Sequence, residues 1–156
     1  LELYDYFFDI GKEFNLKPGA PNHPERIEGG LLSYGSDMDI FDNPYECGFD
    51  KYVDLNSDIF FFGKDSLKKI KEKGITRKLM GVKIETKSIN VSQSIPMLDL
   101  NNNVIGQLRS AAYSPKFKKV VGIAMVKKDF CNILEKFQIK LNNNSISGEI
   151  CNLPIL

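Results

Sequence analysis

Residues 96–126 read PMLDLNNNVIGQLRSAAYSPKFKKVVGIAMV, and this stretch decides the fold. Two short apolar runs, Pro96 to Leu98 and Val104 to Leu108, flank Asp99-Leu100-Asn101-Asn102-Asn103, which reads as a hairpin-like turn. Asn and Asp suit such turns because their side chains bond the nearby backbone and tolerate left-handed conformations. A third run spans Val120 to Val126. Outward from it lie Leu79 to Ile84 on one side, and Phe137 to Leu141 and Ile146 to Leu153 on the other. Asn142-Asn143-Asn144 reads as the turn between the last two, and Asp129 to Leu134 as a short helical turn. Short strands at this spacing, punctuated by Asn and Gly, predict a small antiparallel β-barrel or sandwich. No internal repeat is evident, and the Asn triplets are turns rather than low-complexity sequence.

The texture changes upstream of Gly74 to Lys78, which marks a boundary between residues 1–76 and 77–156. Lys64 to Lys73 predicts a helix with Leu67 and Ile70 on its apolar face and four solvated lysines. Asp65 or Ser66 would serve its amino end, and Gly74 its C′ position. Before it, Ile59-Phe60-Phe61-Phe62 demands a core or a partner surface, and Phe49, Tyr52, Val53 and Leu55 suggest a strand. Leu1 to Phe14 predicts a helix through Leu3, Phe7, Ile10 and Phe14, with Tyr6 beside them. Gly11 weakens it by about 1 kcal/mol relative to Ala. Pro18-Gly19 ends it, and Pro21 and Pro24 keep the connection irregular.

The organising segment of this half is Pro24 to Gly48, PERIEGGLLSYGSDMDIFDNPYECG. Arg26 to Tyr34 is expected to be a strand or strand-turn, which would put Arg26 and Glu28 on one face. The bland reading is a partly exposed ion pair; the functional one is a half-buried Glu28 awaiting a flat ligand with adjacent N–H donors. Ser36, Asp37 and Asp39 read as a solvated acidic loop. Calcium is an alternative whose oxygen spacing fits no full loop motif. Asn43-Pro44 is a turn signal, and His23, the single histidine, is a loop or turn residue rather than a catalyst.

At 156 residues, 42% apolar, 26% charged and a net charge of +1, the composition is that of an ordinary globular chain. A nearly neutral chain makes no general electrostatic case for nucleic acid. No apolar run is long enough to cross a bilayer as a helix, and no basic-then-apolar leader opens the chain. Cys47, Cys131 and Cys151 are widely spaced, form no CxxC pair, and read as buried thiols in a reducing cytoplasm. No cluster has zinc-ligand spacing.

Arg26-Ile27-Glu28-Gly29-Gly30-Leu31, Tyr34-Gly35, Asp37-Met38-Asp39, Asn43-Pro44, Glu46 and Gly48-Phe49 together resemble the folate-contacting segment of the glycine-cleavage T-protein family, the aminomethyltransferases. Phe62-Gly63-Lys64, Arg77, Leu79, Gly81, Gly106, Ser110, Ser114-Pro115 and Gly122-Ile123-Ala124 continue the match in order. Gly29-Gly30-Leu31-Leu32-Ser33-Tyr34-Gly35 and Leu108-Arg109-Ser110-Ala111-Ala112-Tyr113-Ser114-Pro115 look closest to the branch that demethylates dimethylsulfoniopropionate.

The resemblance implies an α+β chain: the tail of the family's interwoven folate-binding domains, residues 1–76, then a C-terminal antiparallel β-barrel, residues 77–156. It implies methyl transfer from a sulfonium compound to tetrahydrofolate, giving 5-methyltetrahydrofolate. The alternatives are aminomethyl transfer in glycine cleavage, a folate-dependent domain of a sarcosine- or dimethylglycine-oxidising enzyme, and a non-catalytic folate-binding module. The family's pterin-binding glutamate falls on Glu28. Arg26, Tyr34 and Arg109 are the further candidates for the cofactor site; no catalytic residue and no metal ligand is assigned. The basic run that glycine-cleavage members carry after the glutamate is replaced by Asn56-Ser57-Asp58, with Lys51 or Lys64 left to supply charge. The family's catalytic aspartate lies upstream, so the resemblance implies a fragment that pairs with a remaining amino-terminal part of the same enzyme. Such a fragment would expose apolar surface at Tyr6, Phe7 and Phe60 to Phe62.

Overall fold

The computed structural model describes residues 1–19, 22–141 and 144–155. Helical and irregular segments come first, and a closed six-stranded antiparallel barrel follows. The strands are β1 (Arg77–Ile84), β2 (Ile95–Leu98), β3 (Val104–Ser114), β4 (Lys119–Lys127), β5 (Lys136–Leu141) and β6 (Asn144–Cys151). Around the cylinder they run β1-β4-β3-β2-β5-β6. Each predicted apolar run falls on one of these strands, except that the last, Ile146 to Leu153, runs two residues past the end of β6. The expected turn at Asn142 and Asn143 falls outside the described residues, as does Pro21; Asn144 already belongs to β6.

Side chains on a strand alternate between faces, and here both faces of β1 and β4 are covered. Met80, Val82, Ile84, Val120, Ala124 and Val126 point into the barrel with Met97, Leu108, Phe137, Ile139 and Ile150. Leu79, Val121, Ile123, Met125 and Cys151 form a second core outside it with Ile27, Cys47 and Ile155. Burial on both faces explains why β4 is an unbroken apolar run rather than an alternating one. Gly148 on β6 leaves room for the Phe137 ring: a Cβ there would lie 2.4 Å from Phe137 Cζ.

Two register shifts bend the sheet, one between Met97 and Leu98 and one between Leu108 and Ser110. The second leaves Arg109 without a partner residue on β4. A bulge of this kind re-aims one side chain and resets the in–out alternation. Leu108 and Ala111, three apart, both therefore face the inner core.

The amino half is helix α1 (Glu2–Gly11) with a 3-10 turn at Lys12–Phe14, helix α2 (His23–Glu28), a 3-10 turn at Asp50–Tyr52 and helix α3 (Lys64–Lys73). The predicted α3 is met at both ends, with Gly74 at φ 81° as its cap. Its amino end is Gly63, and neither Asp65 nor Ser66 caps it. The expected strand over Arg26 to Tyr34 is corrected. Asn22 accepts a hydrogen bond from the Glu25 backbone N–H at 2.9 Å and starts a helix that runs through Pro24. Proline is tolerated in a first helical turn, where its missing N–H costs nothing. His23 is thus the first helical residue rather than a loop residue. Phe49 to Leu55 forms no strand, because a closed barrel offers no free edge to pair with. Tyr6, Phe7, Phe60 and Phe62 are each more than half exposed, as anticipated; Phe61 is half-buried.

Candidate functional site

Helix α2 lies against the barrel at three consecutive residues. The Arg26 side chain donates from Nη2 to Ser110 Oγ on β3 at 3.2 Å. Ile27 is fully buried in the outer core. The Glu28 carbonyl accepts from the Ile155 backbone N–H at 2.8 Å. Arg26 and Glu28 therefore do not share a face: two residues on a helix are separated by about 200°. The Glu28 carboxylate is half-buried and has no hydrogen bond or ion pair among the described residues.

Beyond α2, the loop from Leu31 to Glu46 is held by charge. Arg26 Nη1 donates to Asp37 Oδ2 at 2.7 Å and to the Leu31 carbonyl at 3.2 Å, and Arg26 Nε to His23 Nδ1 at 3.2 Å. Asp37 Oδ2 also accepts from the Ser33 backbone N–H at 2.7 Å. Asp37 is fully buried, which corrects its reading as part of a solvated loop, and its Oδ1 has no hydrogen-bond partner among the described residues. Asp39, two residues on, is exposed as expected.

Arg109, released by the bulge in β3, reaches the same loop. Its Nη1 donates to the Asp37 carbonyl at 2.7 Å and to Asp42 Oδ2, and its Nη2 to Asp42 Oδ1 at 3.1 Å. The Asp42 side chain is fully buried. Arg77, at the start of β1, pairs with Asp42 at 3.0 Å and with Glu46 Oε1 at 3.0 Å. Burial pushes the Asp42 carboxyl up. The Arg109 hydrogen bond, the Asp39 backbone N–H and the charges of Arg109 and Arg77 outweigh that and hold it below its ordinary 3.8. The Glu46 hydrogen bond, acting against burial, raises Arg77 in turn. Asn43 and Glu46 cap each other reciprocally, Glu46 Oε2 accepting from Asn43 N and Asn43 Oδ1 from Glu46 N.

A cavity of about 400 Å³ opens between this loop and β3, with Arg26, Arg109, His23, Gln107 and Ser110 in its wall. It brings two of the four sequence candidates together. Glu28 and Tyr34 are not among its lining residues; Tyr34 is 65% exposed and joins Met38 in an isolated bridge. A second cavity, about 560 Å³, adjoins the C-terminal end of α2 and is lined by Gly29, Gly30, Phe49, Lys51, Tyr52 and Lys78. Asp37, Asp42 and Arg77 carry much of the architecture and were not singled out from the sequence as site residues. Among the described residues no three His, Cys, Asp or Glu side chains gather as a metal site, and no helix is long and apolar enough to cross a membrane.

This is a barrel with an arginine-clamped loop laid on its outer face, and comparison with known proteins places it. Residues 77–156 match the glycine cleavage T-protein C-terminal barrel domain, and the chain belongs to the glycine-cleavage T-protein family. The dimethylsulfoniopropionate demethylase DmdA of Ruegeria pomeroyi is 35% identical over 126 residues, covering 81% of this chain and 34% of that protein. An aminomethyltransferase of Clostridium botulinum is 34% identical over 150 residues, covering 94% of this chain and 40% of that protein. The glycine cleavage system aminomethyltransferase T of Bartonella henselae shares the fold, with a TM-score of 0.78 at 23% identity over 86% of this chain and 37% of its own. The chain thus spans well under half the length of these relatives.

Proposed function

We propose that this chain is the carboxy-terminal part of an enzyme that transfers an aminomethyl carbon to tetrahydrofolate, as in glycine cleavage. The observation that carries the reading is Glu28: a half-buried carboxylate without a partner among the described residues, on a helix fixed to the barrel at three successive residues. A pterin presents its 2-amino group and ring N–H side by side, and an ionised carboxylate accepts both in a directional, charge-assisted pair. A half-buried acid with its backbone already anchored fits that edge. The folate supplies a nucleophilic nitrogen that takes up the carbon. Glu28 orients the ring and moves no proton, while Arg26 and Arg109 hold the neighbouring loop in place. Tyr34, exposed here, offers an aromatic face to the ring or to the missing amino-terminal half. The apolar surfaces at Phe7 and at Phe60 and Phe62 fit that same absent half.

A second reading, methyl transfer from a sulfonium compound, is favoured by the 35% identity to the demethylase. Aminomethyl transfer is favoured by the aminomethyltransferases among the relatives, which are 29% and 34% identical over 96% and 94% of this chain. The two are separated by assaying the full-length protein with tetrahydrofolate and either an aminomethyl-lipoyl carrier or a sulfonium donor. Glu28→Ala is expected to weaken tetrahydrofolate binding about tenfold or more; unchanged affinity would remove the residue from this role and the reading with it.

A further inference from the structure

Arg26, a cofactor-site candidate in the sequence beside Glu28, has a fork that is almost fully committed within the protein. Nε serves His23, Nη1 serves Asp37 and Leu31, and Nη2 serves Ser110. Of its five N–H donors, one remains. A guanidinium so occupied does not grip a ligand; it fixes what is attached to it. Its bonds join three things: helix α2, the loop through fully buried Asp37, and the barrel through Ser110.

We propose that Arg26 is a positioning residue for Glu28, acting through Asp37 and Ser110, so that the barrel sets the direction in which α2 presents its carboxylate. The inference rests on the reading of Glu28 as the pterin contact. The geometry gives it a physical basis. Ile27 pins one side of α2 in the outer core, and Ile155 pins the Glu28 carbonyl. Neither fixes rotation of the short helix about the line between them. Arg26, on the side of α2 opposite Glu28, supplies the third point by bonding to β3 and to the buried Asp37. Three anchors on three residues hold a rigid body, and two leave it a hinge. Binding a planar donor edge depends steeply on that alignment. The fork matters as much as the charge: lysine is a point charge and cannot serve Asp37, Leu31 and Ser110 from one planar group.

The test is a double-mutant cycle on tetrahydrofolate affinity in the full-length protein, with Arg26→Lys, Glu28→Gln and the pair, and Ser110→Ala as a milder break of the same link. Arg26→Lys is expected to weaken tetrahydrofolate binding about tenfold and to raise its KM more than it lowers kcat, with the KM for the carbon donor unchanged. In the Glu28→Gln background the same substitution should cost almost nothing, because the group it positions is already impaired. Ser110→Ala should show the same pattern at smaller size, in a chain whose circular dichroism and melting are close to wild type. Losses that simply add in the pair overturn the positioning role while leaving Glu28 in place. A Glu28→Gln variant with unchanged affinity overturns the functional reading instead, so the two failures are distinct.

Discussion

Asp42 and Arg109 meet as a two-pronged ion pair in which the carboxylate is wholly buried, across the junction between the 31–46 loop and β3. The arginine is there because one residue of β3 falls out of register. Arg77 approaches the same carboxylate from β1. A single acid thus joins two strands of the barrel to the loop that follows helix α2.

Removing that acid should be costly. Taking two charges out of water offsets most of what their attraction gives, so the intact pair adds little to net stability. Breaking it strands buried guanidinium charge, and Asp42→Ala is expected to destabilise the fold by about 3–5 kcal/mol. Denaturant titration measures this. Arg109→Ala in the Asp42→Ala background should then cost far less than in wild type, and an undiminished cost would show that the two side chains do not act as a unit.

The same carboxylate sets an acid limit. Its folded pKa lies below the ordinary 3.8, so the unfolded chain binds the proton more readily than the folded one. The stability it contributes is complete above the unfolded pKa and is lost as pH falls through the folded value. Urea midpoints for wild type and Asp42→Asn should be separated at neutral pH and converge as pH falls through the lowered folded value. A separation unchanged from neutral pH to the acid end of the titration would assign the difference to packing rather than to ionisation.

The two buried thiols, Cys47 and Cys151, should be inert while the chain is folded. Burial, followed by the nearby charges of Asp42 and Glu46, pushes Cys47 up to about 11, and burial above all does the same for Cys151. Cys131 is half-buried and also raised, chiefly by desolvation. Thiolate is the reactive form, so alkylation with iodoacetamide at neutral pH is expected to begin at Cys131 and to reach Cys47 and Cys151 only on unfolding. Peptide mapping of the labelled protein reads the order. Prompt labelling of Cys47 in the folded chain would contradict its burial in the outer core.

Gly148 is a steric prediction. A methyl group there meets the Phe137 ring at 2.4 Å and the Lys83 carbonyl at 2.9 Å. Gly148→Ala is expected to lower stability by about 1–3 kcal/mol. Phe137→Leu in the same chain should recover part of that loss, since it withdraws the ring. Calorimetry on the two single variants and the pair decides the matter.

Much of the barrel could be read in advance, and the reasons it could not be read further are local. Apolar runs with Asn and Gly between them locate all six strands, yet the run Val104 to Leu108 stops short of Ser114, where β3 ends. The bulge at Arg109 resets the phase, and nothing in a single sequence announces a bulge. Helix α2 was missed although Asn22-His23-Pro24-Glu25 carries its start: a capping Asn, a proline in the first turn, and Glu three places on. Pro24 reads as a breaker, but in a first helical turn it does not oppose the cap. The clamp leaves a trace in the composition. Only three of the 21 basic residues are arginine, and each of the three pairs with a buried carboxylate. Surface charge is served by lysine; a planar fork is kept for where a carboxylate must be met from inside.

The cylinder also has a seam. The other neighbouring strands share ladders of four to eight register pairs, but among the described residues β2 and β5 meet at one, Leu98 opposite Gln138. Closure there rests on side chains packed beneath the gap more than on the backbone across it. Thermal breathing will part the wall along that line first, while the opposite side, pressed between two cores, stays shut. The half of the molecule that grips the arginine clamp is therefore also the half that holds its shape longest.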